Sequence, residues 1–117
     1  MVLKGQDLEM VAGDNCDIEF EVNDPGGLDV DLTDATVDWY LKESADTEVA
    51  LLHKDNSEGD GVEVTDPTHG VVVVHLVPED TADLAPGKYF HGITVTDIDD
   101  KVYTVAMGYM TLLPKVG

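Results

Sequence analysis

The side chains best equipped for chemistry in this chain are carboxylates and imidazoles: 25 Asp and Glu, four His, and a single Cys. The densest acidic run, 29-DVDLTDATVDWY-40, spaces Asp29, Asp31 and Asp34 as a calcium loop would. It fails at the two positions that matter, because Asp34 stands where an EF-hand needs glycine and Tyr40 where it needs a bidentate Glu. Asp97, Asp99 and Asp100 crowd one short segment and are the remaining candidates for holding a cation; no other cofactor is expected. His53, His69, His75 and His91 show neither H-x-H nor HExxH spacing, so a transition-metal site would require the fold to bring them together. Strand alternation instead points His91 into the core and sets His75 on the face opposite Val72, Val74 and Leu76. Cys16 stands between Asp14 and Asp17, whose charges raise a thiol pKa, which makes it a poor nucleophile. With one cysteine there is no disulfide and no CxxC pair. No GxSxG or phosphate loop is present, and Gly59-Asp60-Gly61 reads as a turn. Paired carboxylates for glycoside chemistry need a cleft and a raised pKa that the sequence does not display. The expectation is a protein that is not an enzyme.

The elements that would position these groups are short strands. In 16-CDIEFEVND-24, Ile18, Phe20 and Val22 alternate with Asp17, Glu19 and Glu21, the signature of a half-buried antiparallel strand. A Pro-Gly-Gly loop at 24–34 leads to 35-ATVDWYLK-42, with Val37, Trp39 and Leu41 on one face. Further strands are expected at 6–12, 49–54, 61–66, 71–76, 87–97 and 101–113. One helical turn is expected near 78–84, where Pro78 suits a first-turn position and Glu79 and Asp80 suit its positive end. Many short strands without helical crossovers specify an all-β antiparallel sandwich of about seven or eight strands, one domain over residues 1–117.

Composition narrows the function. Six Lys and no Arg leave a formal net charge of −19, so there is no cationic cluster with which to neutralise phosphates, and direct nucleic-acid binding is set aside. The N-terminal stretch has no apolar core of signal-peptide length, and no segment approaches the roughly 18 apolar residues of a membrane span. The chain reads as cytosolically made, soluble and membrane-free. Hydrophobic residues make up 43% and alternate regularly, which specifies a folded rather than a disordered acidic protein. At about 1 M salt the Debye length falls to roughly 3 Å, and self-repulsion among surface carboxylates becomes small. Replacement of surface Lys and Arg by acids therefore fits a halophilic source. A calcium-loaded module or an acidic DNA mimic would also carry such a charge.

Acids disappear from one structural unit. Residues 84–96 (LAPGKYFHGITVT) and 101–117 (KVYTVAMGYMTLLPKVG) contain none, so the last two strands form a hairpin with carboxylates only at its tip. Strict alternation along the final strand assigns Val102, Thr104, Ala106, Gly108, Met110 and Leu112 to the core. It leaves Tyr103, Val105, Met107, Tyr109, Thr111 and Leu113 outside. A strand apolar on both faces is covered on both. The cover is a loop from 24–34 or 55–61, or another protein; alternatively the apolarity is simply exposed. The Tyr- and Met-rich composition favours a protein interface formed by Phe90, Tyr103, Val105, Met107, Tyr109 and Leu113.

Several stretches resemble, in order, small immunoglobulin-like domains of tailed-virus particles, including the N-terminal domain of phage baseplate upper proteins. They are Ala12-Gly13-Asp14, 17-DIEFEVND-24, 31-DLTDATVDWYL-41, 61-GVEVTD-66, 70-GVVVVHL-76, 80-DTADLAPGKY-89, 93-ITVTD-97 and 104-TVAMGYMTLLP-114. The sequence departs from that pattern at Asp34 and Asp100, where glycine is common. The resemblance implies an immunoglobulin-like sandwich acting as a non-enzymatic virion component. Such a component would be an adaptor or connector in the tail or baseplate, repeated by symmetry as a homo-oligomer or ring and bound to other virion structural proteins. With the acidity, it implies a tailed virus of a halophilic archaeon. A head decoration or head–tail connector protein, and a glycan- or cell-surface-binding module with Trp39 or Tyr40 exposed, are the alternatives.

Overall fold

The computed structural model describes residues 7–22, 31–44, 46–57 and 61–114. Within them eight strands carry the fold: β1 (Leu8–Val11), β2 (Cys16–Glu21), β3 (Thr36–Lys42), β4 (Leu52–Asp55), β5 (Val62–Asp66), β6 (Val71–Leu76), β7 (Gly87–Thr96) and β8 (Val102–Leu113). They form a five-stranded sheet of order β1-β8-β7-β3-β4 and a three-stranded sheet of order β2-β6-β5. Among the described residues all pairings are antiparallel except β1 with β8. With β2, β6 and β5 as strands B, E and D and β8, β7, β3 and β4 as G, F, C and C′, the order is that of an immunoglobulin-like sandwich, with β1 added alongside the last strand.

The core lies where the alternating apolar residues of both sheets meet. Trp39, Leu41, Val72, Val74, Ile93, Ala106 and Met110 are buried, with Phe20 and Val22 beside them. His91 is also fully buried and accepts a hydrogen bond at Nδ1 from Trp39 Nε1, 3.3 Å away. The Phe20 ring lies 5.9 Å from the imidazole, centroid to centroid. In antibody domains this site between strands B, C and F holds an inter-sheet disulfide packed on a tryptophan. Here Phe20 and His91 occupy that place: their ring contact spans the two sheets where the covalent link would be, and the indole bonds His91 within the larger sheet. Two residues earlier on β7, the Tyr89 hydroxyl donates to the Ala85 carbonyl, the tyrosine corner of this architecture.

Several of the described turns are locally satisfied. The α-helical turn, α1 (Pro78–Thr81), begins where Pro78 sits in the first turn. The Asp80 carboxylate accepts from Val77 N at 2.8 Å and pairs with Lys54 Nζ at 3.0 Å. Thr81, buried, accepts from Gly13 N at 2.9 Å and ties the β1–β2 turn to the opposite corner. A 3-10 turn at Pro67–His69 joins β5 to β6. Asp34 and Asp100 both take left-handed backbone angles, φ 62° and 63°. These are the two places where the resembled pattern carries glycine, and short polar side chains are among the few that tolerate that region. The expected strand at 49–54 starts later: β4 begins at Leu52, and Val49, 75% exposed, lies outside the sheet.

Candidate protein-docking face

The outer face of the larger sheet is built by the residues that alternate with the core set. On β3, burial of Val37, Trp39 and Leu41 turns Asp38, Tyr40 and Lys42 outward. Pairing of Tyr40 with Gly92 and of Lys42 with Phe90 brings β7 alongside, and pairing of Gly92 with Met107 and of Phe90 with Tyr109 extends the row to β8. The rings of Phe90 and Tyr109 meet edge to face at 5.8 Å, and Lys88 Nζ lies 4.7 Å above the Tyr109 ring. At the far side the Tyr40 ring stacks on His53 at 4.7 Å. Between them Gly92 lowers the floor; a Cβ there would stand 3.2 Å from the Ala106 carbonyl oxygen. The result is a groove of about 610 Å³ lined chiefly by Tyr40, Phe90, Gly92, Met107 and Tyr109, with Lys42 and Asp7 at its margin.

The six residues expected to form an interface are only partly brought together. Phe90, Met107 and Tyr109 line the groove, Tyr109 being 41% exposed. Leu113 ends β8 opposite Val11 and is half-buried. Tyr103 and Val105 are corrections. The register passes from Ile93–Ala106 to Thr94–Thr104, which leaves Val105 as the extra residue of a β-bulge and reverses the alternation before it. Val105 packs against the core. Tyr103 pairs with core-facing Val95 and so belongs to the inner side of the sheet end, half exposed, while Val102 and Thr104 turn outward. A strict two-residue period cannot be carried through a bulge, and the sequence marks this one with no glycine.

Sequence reasoning missed the contribution of β3. Tyr40 and Lys42 were recoverable from the same alternation that buries Trp39 and Leu41, once β3 is placed next to β7. The expected loop cover lies partly outside the described residues, at 24–30 and 58–60. The described parts of those loops turn to the core edge: Leu32 is buried, and Asn56 bonds Val37 N and Ala35 O at 3.0 Å each.

The other candidate groups are placed as follows. Asp97 Oδ1 accepts from the amides of Asp99 and Lys101 at 2.9 and 3.0 Å, so this carboxylate holds the hairpin turn. His75 lies on the outer face of the smaller sheet, with Nδ1 2.8 Å from Asp17 and Nε2 3.1 Å from Glu63. Hydrogen bonding to Asp17, then to Glu63, raises its pKa above the ordinary histidine value. The Cys16 thiol is pushed up by burial first, then by Asp17 and Asp14. Trp39 is wholly buried, as its position between Val37 and Leu41 implies. No described helix is long and apolar enough to cross a membrane. No protein-family model matches the chain, and no curated protein matches it in sequence.

Proposed function

We propose that this domain is a non-enzymatic adaptor that docks another protein through the outer face of its larger sheet, with Phe90, Met107 and Tyr109 as anchors. The observation that carries this reading is a local one. In a chain of net charge −19, an aromatic and methionine-lined groove lies on a sheet face whose rows Tyr40–Gly92–Met107 and Lys42–Phe90–Tyr109 carry no acid, with Lys42 and Lys88 beside them and Asp7, whose carboxylate accepts from Tyr109 N at 2.9 Å, as the one acid lining the groove among the described residues. Aromatic and Met side chains are favoured, and acids disfavoured, at the centres of protein interfaces. The resemblance to immunoglobulin-like virion domains gives the partner its class: another structural protein of a tailed-virus particle, in the tail or baseplate. The acidic surface elsewhere would keep such a module dispersed at high salt until it is assembled.

The test is co-assembly. The double variant Met107→Asp, Tyr109→Asp changes two side chains that face away from the core, so it should fold as the parent does. In high salt the parent should be incorporated into particles and the variant left behind. Equal incorporation of a folded variant would reject this face as the docking surface. Absence of the parent from purified particles would reject the virion assignment.

A further inference from the structure

A second site stands at the β4 side of the same sheet. Asp38, His53 and Asp55 each present one donor atom, and the three atoms lie within 4.8 Å of one another. His53 Nε2 and Asp38 Oδ1 are 2.8 Å apart. His53 and Asp55, two apart on β4, share a face by their spacing, and the antiparallel pairing of β3 with β4 brings Asp38 to them. We propose that this trio binds one divalent first-row transition metal ion of the zinc class.

Three independent features support the assignment. The register sets Asp38 directly opposite Asp55, and like charges in directly opposed positions destabilise a sheet unless something positive lies between them. The Asp38 side chain is only 16% exposed, so water relieves its side of the repulsion little, whereas Asp55 Oδ1 accepts from Ser57 N at 2.9 Å and from the Ser57 hydroxyl. A divalent cation bound to the imidazole and both carboxylates balances the two negative charges. The donor mixture then selects the metal, since imidazole nitrogen with carboxylate oxygen suits Zn²⁺ and its neighbours better than the all-oxygen shells of Ca²⁺ or Mg²⁺. Finally, stacking on Tyr40 fixes the plane of the His53 ring and so the direction of Nε2.

The other histidine flanked by two acids shows what a non-chelating arrangement looks like. His75 meets Asp17 through Nδ1 and Glu63 through Nε2, on opposite edges of its ring, so no single ion touches all three. At His53 the donors converge. Ligands at about 2.0–2.2 Å from a zinc ion lie roughly 3–3.5 Å from each other, a modest contraction of the widest separation here. Three protein ligands leave a coordination position for water.

The test uses the full chain with Zn²⁺, Co²⁺ and Ca²⁺ as separate probes, at about 1 M NaCl to suppress diffuse attraction of cations to the acidic surface. One Zn²⁺ should bind per chain, and Co²⁺ should selectively broaden the ring resonances of His53 while sparing those of His69 and His75. His53→Gln and Asp55→Asn should each weaken Zn²⁺ binding at least tenfold. Unmoved His53 resonances with many weak sites would mean an adventitious ion only and would overturn the proposal. So would unchanged affinity in His53→Gln, or Ca²⁺ binding as tightly as Zn²⁺. The resonance readout on the parent chain needs no variant to fold.

Discussion

The outer face of the smaller sheet carries Asp17, Glu19, Glu21 and Glu63, two of which, Asp17 and Glu63, bond His75, whereas the larger sheet presents Phe90, Met107 and Tyr109 between Lys42 and Lys88. Both faces are built on the same two-residue period over one shared core, so the fold does not require the difference. The docking proposed above would account for it. Carboxylates on the smaller sheet are hydrated and repel other copies; a face with such a surface stays in solvent. The larger sheet has no acid in the rows Tyr40–Gly92–Met107 and Lys42–Phe90–Tyr109, although Asp7 and Asp38 stand beside them, and two proteins approaching over those rows bring few like charges together. Charge that opposes association everywhere else therefore leaves one direction of approach open.

The largest expected effect comes from erasing the difference. Putting acids into the groove with Met107→Asp and Tyr109→Asp should weaken docking on the order of 100-fold, since truncating a few buried interface anchors commonly costs several kcal/mol. The stability of the isolated domain should change by only about 0.5 kcal/mol, as is usual for outward-facing positions. Comparing binding by surface plasmon resonance with urea unfolding separates the two. A variant that unfolds as readily as it loses its partner would mean that the face is structural.

The converse substitution acts on the acidic face. Glu19→Gln with Glu21→Gln removes neighbouring charges from β2 without touching the core. At about 50 mM salt the variant should be more stable by about 1 kcal/mol, and the gain should vanish at about 2 M, where screening has already removed the repulsion. Thermal unfolding at both salt concentrations measures it. A gain that persists unchanged at high salt would show that repulsion on this face is not its source.

Much of this contrast was legible in the residue order, and the reasons are local. Every expected strand forms, because alternation such as Ile18-Phe20-Val22 or Val37-Trp39-Leu41 needs no partner to be recognised. His91 and Trp39 fall in the core for the same cause. What alternation could not carry is anything that depends on neighbours. The bulge at Val105 is a property of the β7–β8 pairing, and it moves Tyr103 to the inner side. The trio Asp38, His53 and Asp55 exists only because β3 pairs with β4, and Tyr40 and Lys42 join the groove only because β3 pairs with β7. Asp34 and Asp100 reveal the opposite case. Their left-handed geometry was implied by the glycines of the resembled pattern but not by the acids present.

That geometry supplies a smaller perturbation at the tip of the β7–β8 hairpin. Asp100 has φ 63°, a conformation glycine adopts without steric penalty. Asp100→Gly should relieve part of the roughly 1–2 kcal/mol that left-handed geometry costs an ordinary residue, less the greater freedom glycine gains when unfolded, a net gain of about 0.5 kcal/mol. The charge at the tip falls by one in the same step, so the gain should be somewhat greater at low salt. Urea midpoints of the two chains suffice, and a loss of stability at every salt concentration would show that the Asp100 side chain has a role of its own.

The smallest effect concerns the imidazole on the acidic face. His75 bridges Asp17 of β2 and Glu63 of β5, and its pKa in the folded domain is raised above the unfolded value by hydrogen bonds to those two acids. A group whose pKa is raised on folding adds stability that is fully present below the unfolded pKa, about 6.5 for histidine. That contribution is lost as the pH climbs through the folded value. The parent should therefore be more stable at pH 6 than at pH 8.5, and His75→Gln should show a flatter dependence over that interval. The His75 side chain is 40% exposed and its partners are 70% and 62% exposed, so solvent screens the pairs and the increment is at most a few tenths of a kcal/mol. Raising the salt should shrink it further, because the acids that hold the proton on His75 are the same ones whose mutual repulsion salt conceals. A parent whose urea midpoint is independent of pH at low salt, or a His75→Gln variant that keeps the full dependence, would remove His75 from its place as the charge that links these three strands.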